Sequence, residues 1–212
     1  DGLALMPLAN TLVRDRINTL SEQQGIPVVT FNTDITDANR LAYVGADNIA
    51  AGRAAAALLG MVMQGRGSVL PILGQRSGHY ADSQRYTGFL SEMAENFPGI
   101  RILHPECSFL DENLAERIAS RAIHSDEEVN GFYLTSAGRE GVYRAVNAAE
   151  NREKIHIVVH DITEGNVRMV KQGTVDFIIG QDVKTQGTLP IRLLSGRLPE
   201  NDGEVLVPSH LA

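Results

Sequence analysis

Short, nearly all-apolar runs alternate along this chain with amphipathic stretches of about 12 to 18 residues, the pattern of stacked β-α-β units on a parallel sheet. Strands are predicted at 2–7, 26–32, 67–73, 100–107, 130–134, 155–160 and 175–181, with helices at 8–24, 47–64, 79–97, 111–124, 137–150, 163–172 and 184–196. The run Ile26-Pro27-Val28-Val29-Thr30-Phe31 is β-branched and almost wholly apolar, as a strand covered on both faces must be. Pro27 stands at its start, where a missing amide donor is tolerated. Asp111-Glu112-Asn113 and Thr163-Glu164-Gly165 place capping groups at helix starts, and Gly65 and Gly173 fall just past helix ends, where a left-handed residue is wanted. The stretch Ala50 to Ala57 gives one helix a very small side and predicts close approach to a sheet. No linker or charge block interrupts the pattern, so one α/β architecture is expected.

Composition bounds what such a fold can do. A chain of 212 residues can bury a substantial core. No run approaches the roughly 18 apolar residues that a bilayer-spanning helix needs. The formal charge of −7 argues against this segment itself gripping nucleic acid, which calls for a basic face. The single cysteine, Cys107, excludes an internal disulfide framework. Gly2 to Pro7 reads as a strand already under way, with no charged leader before it, so the chain is expected to begin inside a longer protein.

Candidate chemistry collects at strand ends. His160-Asp161 closes one apolar run and Gly180-Gln181-Asp182 another, and open parallel sheets bind ligands at the carboxyl ends of their strands. Asp161 could accept hydrogen bonds from two hydroxyls of a polyhydroxylated ligand, or it could cap the helix that follows. The segment Gly74 to Arg85 reads as a polar and aromatic binding loop after the strand at 67–73. Catalysis finds no support. There is no G-x-S-x-G elbow around Ser77. His156 and His160 lie four apart on a strand, roughly 13 Å, too far to share a metal ion. The other histidines form no cluster, and Cys107 reads as a buried small hydrophobe. No catalytic residue, metal ion or cofactor is therefore expected.

Four segments then carry a family resemblance: Asp1 to Pro7, Gly25 to Thr30, Gly45-Ala46-Asp47-Asn48, and Arg85-Tyr86-Thr87-Gly88-Phe89. In order and spacing the chain resembles the type I periplasmic-binding-protein superfamily, and the ribose-binding branch in particular, over essentially all its length. The resemblance implies two doubly wound parallel-sheet lobes joined by a three-strand hinge that close on a sugar, with crossovers near 45–47, 181–183 and 203–205. It implies an incomplete N-terminal lobe of 1–45 plus 183–204 and a whole C-terminal lobe of 46–182 plus 205–212. Sugar-binding positions of the family fall on Asp161 and Gln181, and its stacking aromatic ring on Phe109. Its first-lobe Asp-Arg pair falls on Asn32 and Thr33, its gripping arginine on Ser83, and its helix-opening asparagine on or near Ser136. The expected ligand contacts are Asn32, His79, Ser83, Phe109, Ser136, Asp161 and Gln181.

The same domain forms the effector-binding core of lactose-repressor (LacI) family regulators. Val158 to Thr163, Gly180-Gln181-Asp182 and Ser77-Gly78-His79 look more like that branch, as does the excess of arginine over lysine. The leading expectation is the core of a cytoplasmic, homodimeric transcription regulator without a membrane partner. A carbohydrate-like effector in the interlobe cleft would control DNA contacted through a helix-turn-helix outside this chain. The alternative is a monomeric periplasmic sugar receptor of an ABC transporter; an enzyme on a similar scaffold is a distant third.

Overall fold

The alternation is realised as two parallel sheets in the computed structural model, which describes residues 2–74, 80–126 and 128–195. In chain order the elements are β1 (Leu3–Leu5), α1 (Thr11–Asn18), β2 (Val28–Phe31), β3 (Ala42–Val44), α2 (Asn48–Val62), β4 (Gly67–Leu73), α3 (Tyr80–Asn96), β5 (Ile100–Ile102) and β6 (Glu106–Cys107). There follow α4 (Glu112–Ile123), β7 (Gly131–Leu134), α5 (Arg139–Asn147), β8 (His156–His160), α6 (Glu164–Lys171), β9 (Phe177–Ile179) and α7 (Val183–Ser195). The chain divides into two units, passing between them at Ala46–Asp47 and again at Gly180–Gln181.

The smaller unit carries the sheet β1-β2-β3, all parallel, with Leu3 opposite Val28 and Val29 opposite Ala42. Ile17, Val28, Ile35 and Ala38 form its core, and α7 packs on the sheet. Two features differ from the sequence expectation. The helix predicted at 8–24 is α1, capped by Asn10, which runs into a single π-helical stretch at Thr19–Gln23. The strand β3 was not predicted; at three residues it is too short to show a period.

The larger unit is a doubly wound sheet in the order β5-β4-β7-β8-β9, with β6 also paired to β4. The period-two pleat sorts its residues to opposite faces. Phe132 and Leu134 of β7 join Ile157 and Val159 of β8 beneath α4 and α5. Tyr133 and Val158 point the other way, into a core with Ala55, Ala56, Leu59, Phe89 and Met93 of α2 and α3. The strand predicted at 100–107 is two strands. Pro105 interrupts the run, so β4 pairs first with β5 (Gly67 opposite Ile100) and then with β6 (Ile72 opposite Glu106).

The small side of α2 packs on the sheet as expected, Ala55 and Ala56 lying against Val69, Tyr133 and Val158, and it meets α3 as well. A Cβ on Gly52 would stand 1.9 Å from the Arg85 carbonyl oxygen, and one on Gly88 would stand 2.0 Å from that of Ile49. The two glycines let α2 and α3 touch backbone to backbone, which sets where α3 presents Arg85. Gly88→Val should therefore cost about 3 kcal/mol or more in urea denaturation, because backbone rather than a yielding side chain blocks the new methyls. Gly187→Ala within α7, where an added Cβ meets nothing within 4 Å, should instead stabilise by up to about 1 kcal/mol.

Candidate functional site

All strands of the larger unit run parallel, so their carboxyl ends share one edge, and the helices that follow β4 and β7 begin there. The backbone at this edge is unusual. Phe109 and Leu110 after β6 and Asp161 after β8 hold φ of 51°, 65° and 72°. At the end of β2 in the smaller unit, Asn32 does the same, with φ 60°. Left-handed non-glycine residues cost on the order of 1–2 kcal/mol each and persist where their surroundings over-determine them.

Asp161 is over-determined in this way. Its amide donates to Ile179 O at 2.9 Å, and its carbonyl accepts from Asn166 Nδ2 at 2.7 Å. Asn166, fully buried, is itself fixed by the Tyr143 hydroxyl at 2.8 Å. The carboxylate meets two guanidinium groups: Arg139 Nη2 lies 3.3 Å from Oδ2 and Arg85 Nη2 4.0 Å from Oδ1. Both arginine side chains are only 7% exposed, whereas that of Asp161 is 35% exposed. Asp161 is not the cap of the next helix. Thr163 caps α6, its hydroxyl accepting from the Asn166 amide.

The arginines are anchored to the strand ends as well. Arg139 Nε donates to Ser136 O at 2.9 Å, and Arg85 Nη1 donates to Thr135 O at 2.7 Å. Arg85 Nε also donates to Asn48 Oδ1 at 3.0 Å, which ties α3 to the first residue of α2. Asp82 is buried beside them and accepts from the Gly74 amide at 3.0 Å.

Beneath this layer stands a buried aromatic column. Phe89 stacks on Tyr133 with centroids 4.2 Å apart, and the Tyr133 hydroxyl shares a 2.8 Å hydrogen bond with His160 Nε2. Burial, reinforced by the charges of Arg85 and Arg139, pushes the His160 imidazole down to about 2, and burial raises the Tyr133 phenol. Both groups are neutral throughout the physiological range.

Of the residues expected to touch a ligand, Phe109, Ser136 and Asp161 meet at this edge, after β6, β7 and β8. Phe109 is 56% exposed, an open aromatic face. Ser83 is in the first turns of α3, exposed, so the binding loop expected to run from Gly74 to Arg85 is helical from Tyr80 onward. His79 lies outside the described residues. Asn32 and Gln181 belong to the smaller unit. Asn32 Nδ2 donates to Met6 Sδ at 3.1 Å, and Gln181 Oε1 accepts from Gln186 Nε2 at 3.2 Å.

Sequence inspection missed Arg85 and Arg139 as members of the site. Their signal was present: each occupies the buried stripe of its helix, Asp82-Arg85-Phe89 on α3 and Arg139-Val142-Tyr143-Val146 on α5. A charge on such a stripe needs a partner, and here the partner is the strand-end carboxylate.

A cavity of about 540 Å³ opens at the opposite end of the same sheet, lined by residues that include Gln64, Arg66, Asn130, Lys154 and His156. His156 pairs with Asp176 there at 3.0 Å, and Arg66 and Lys154 are exposed, with none of the buried charge that marks the carboxyl edge. Among the described residues, no three His, Cys, Asp or Glu side chains converge as a metal site would require, and no helix is long and apolar enough to cross a membrane.

Fold and edge together define an open α/β binding domain whose polar groups collect at the carboxyl ends of parallel strands. The chain belongs to the periplasmic binding protein domain family, whose model matches residues 1–198. It is similar to GanP, a glucose-galactose binding protein from Geobacillus stearothermophilus, at 29% identity and a TM-score of 0.84, over 92% of this chain and 69% of that one. It is similar to the sugar-binding protein of a sugar ABC transporter from Bacillus halodurans, at 26% identity and a TM-score of 0.79, over 88% of this chain and 63% of that one. XylFII in the XylFII-LytSN complex matches at 25% identity and a TM-score of 0.83, over 91% and 70%. No curated protein sequence matches the chain.

The buried imidazole yields a direct expectation for stability. The folded His160 pKa lies far below that of the unfolded chain, so its contribution is complete above about pH 6.5 and is lost as pH falls below that value. Between pH 6 and 4 the wild type should lose stability faster than His160→Asn by about 1.4 kcal/mol per pH unit in chemical denaturation. Parallel curves would show that His160 is not held neutral.

Proposed function

We propose that this chain is the ligand-binding part of a sugar receptor, the larger unit contributing Asp161 and Phe109 as its principal contacts. One observation carries this role: Asp161 and Phe109 are both held in left-handed backbone at the carboxyl edge of a parallel sheet, partly open to solvent. A rigid carboxylate accepts hydroxyl protons, while an exposed ring offers an apolar face to the C–H side of a pyranose. Neither group can make or break a bond unaided, so binding is the chemistry they suit.

Membership of the periplasmic binding protein family supports this role, as do neighbours described as sugar-binding proteins. They favour a transporter-type receptor over the LacI-type regulator core expected from sequence, whose motifs were short. Homodimer formation and a DNA partner rested on that regulator expectation alone and are not carried forward. Asn32, Ser136 and Gln181 stay as secondary candidate contacts, along with Ser83 and His79.

Titration calorimetry with a panel of neutral pentoses and hexoses tests the role. One of them should bind, and Asp161→Asn and Phe109→Ala should each weaken it by about 10- to 100-fold in protein that circular dichroism shows to be folded. Affinity unchanged in both variants would place the ligand elsewhere.

A further inference from the structure

We propose that Asp161, Arg85 and Arg139 form a charge filter, in which the part-exposed carboxylate masks two buried guanidinium groups and limits the site to uncharged sugars. This rests on the sugar-binding role proposed above and names a selectivity determinant within it, Arg139, that the sequence did not reveal.

Within the cluster of Arg85, Arg139, Asp82 and Asp161 the formal charges balance. Arg85 and Arg139 are buried, and opposite them stand the buried Asp82 and the part-exposed Asp161. Asp82 is engaged by the Gly74 amide, leaving Asp161 as the carboxylate within 4.0 Å of both guanidinium groups. Arg139 is held through two of its guanidinium nitrogens, Nε donating to Ser136 O at 2.9 Å and Nη2 to Asp161 Oδ2 at 3.3 Å, which keeps it at the strand ends.

A ligand arriving at this edge meets the accessible member first. Hydroxyl groups can donate to Asp161 without disturbing the balance. A ligand carboxylate would face a like charge and add a second anion to a neutral cluster. The rejecting element is therefore Asp161, and the latent attraction is the planar, bidentate guanidinium of Arg139, suited to a carboxylate. Neutralising Asp161 without changing its shape should convert a polyol site into one that accepts a sugar acid.

The experiment measures D-glucose and D-galactose against D-glucuronate and D-galacturonate, which exchange the C6 hydroxymethyl for a carboxylate, by calorimetry at low salt. The wild type should bind at least one neutral hexose, with its uronate weaker by about 100-fold or beyond detection. Asp161→Asn should weaken the neutral hexose and strengthen the uronate, each by about tenfold or more. Adding Arg139→Gln to Asp161→Asn should remove the gain in uronate affinity. Arg139→Gln alone leaves the cluster net negative and should raise the neutral-to-uronate ratio, a readout that stands even if Asp161→Asn fails to fold. A wild type that binds galactose and galacturonate alike, or an Asp161→Asn protein with no gain in uronate, overturns the filter while the sugar role stands. A wild type that binds none of the neutral pentoses and hexoses overturns both.

Discussion

Two guanidinium groups sealed at the carboxyl edge of a parallel sheet demand neutralisation, and much of the larger unit is arranged to supply it. An unpaired buried charge costs several kcal/mol, more than most single contacts can offset. Arg85 and Arg139 therefore require Asp161 where it is, and Asp161 reaches that place only in a backbone conformation that L residues disfavour. Asn166, itself braced by Tyr143, and the end of β9 hold that conformation from two sides. The close contact of α2 and α3 through Gly52 and Gly88 sets the position of Arg85 in turn. Helix packing away from the strand ends thus fixes the carboxylate proposed to meet a ligand.

The same arrangement explains why the layer below must stay uncharged. His160 lies directly beneath two arginines, and a third cation there would have no carboxylate left to face it. Burial and the two arginine charges keep it neutral, its Nε2 shares a hydrogen bond with the Tyr133 hydroxyl, and the Phe89–Tyr133 stack fills the space between sheet and α3. The result is a stiff, electrically balanced platform with Phe109 open beside it. Rigid polar groups beside an exposed ring favour selection among similar hydroxylated ligands, because little ordering remains to be done on binding.

Much of this was legible in the residue order. Apolar runs, caps and helix-ending glycines located nearly every strand and helix, the strand-end rule pointed to Asp161, and the family resemblance pointed to Phe109. The failures have physical causes. The three residues of β3 are too few for a period, and the apolar run at 100–107 hid the break that Pro105 imposes. Arg85 read as the end of a polar loop and as part of a family motif because its neighbours in sequence are polar, although its place on a buried helical stripe marked it as a charge in need of a partner. The short motifs that suggested a DNA-linked regulator lie at the same strand ends that a sugar receptor needs. They could not distinguish two uses of one domain, whereas the family match and the structural neighbours favour the receptor.

Hydrogen exchange with and without a bound neutral hexose tests the central claim most directly. If the balanced edge is the binding surface, amides at 108–111, 135–139 and 161–164 should slow on ligand addition, while those around the opposite cavity, near Arg66 and Lys154, stay unchanged. Protection confined to that opposite end, with the strand-end segments unaffected, would contradict the account.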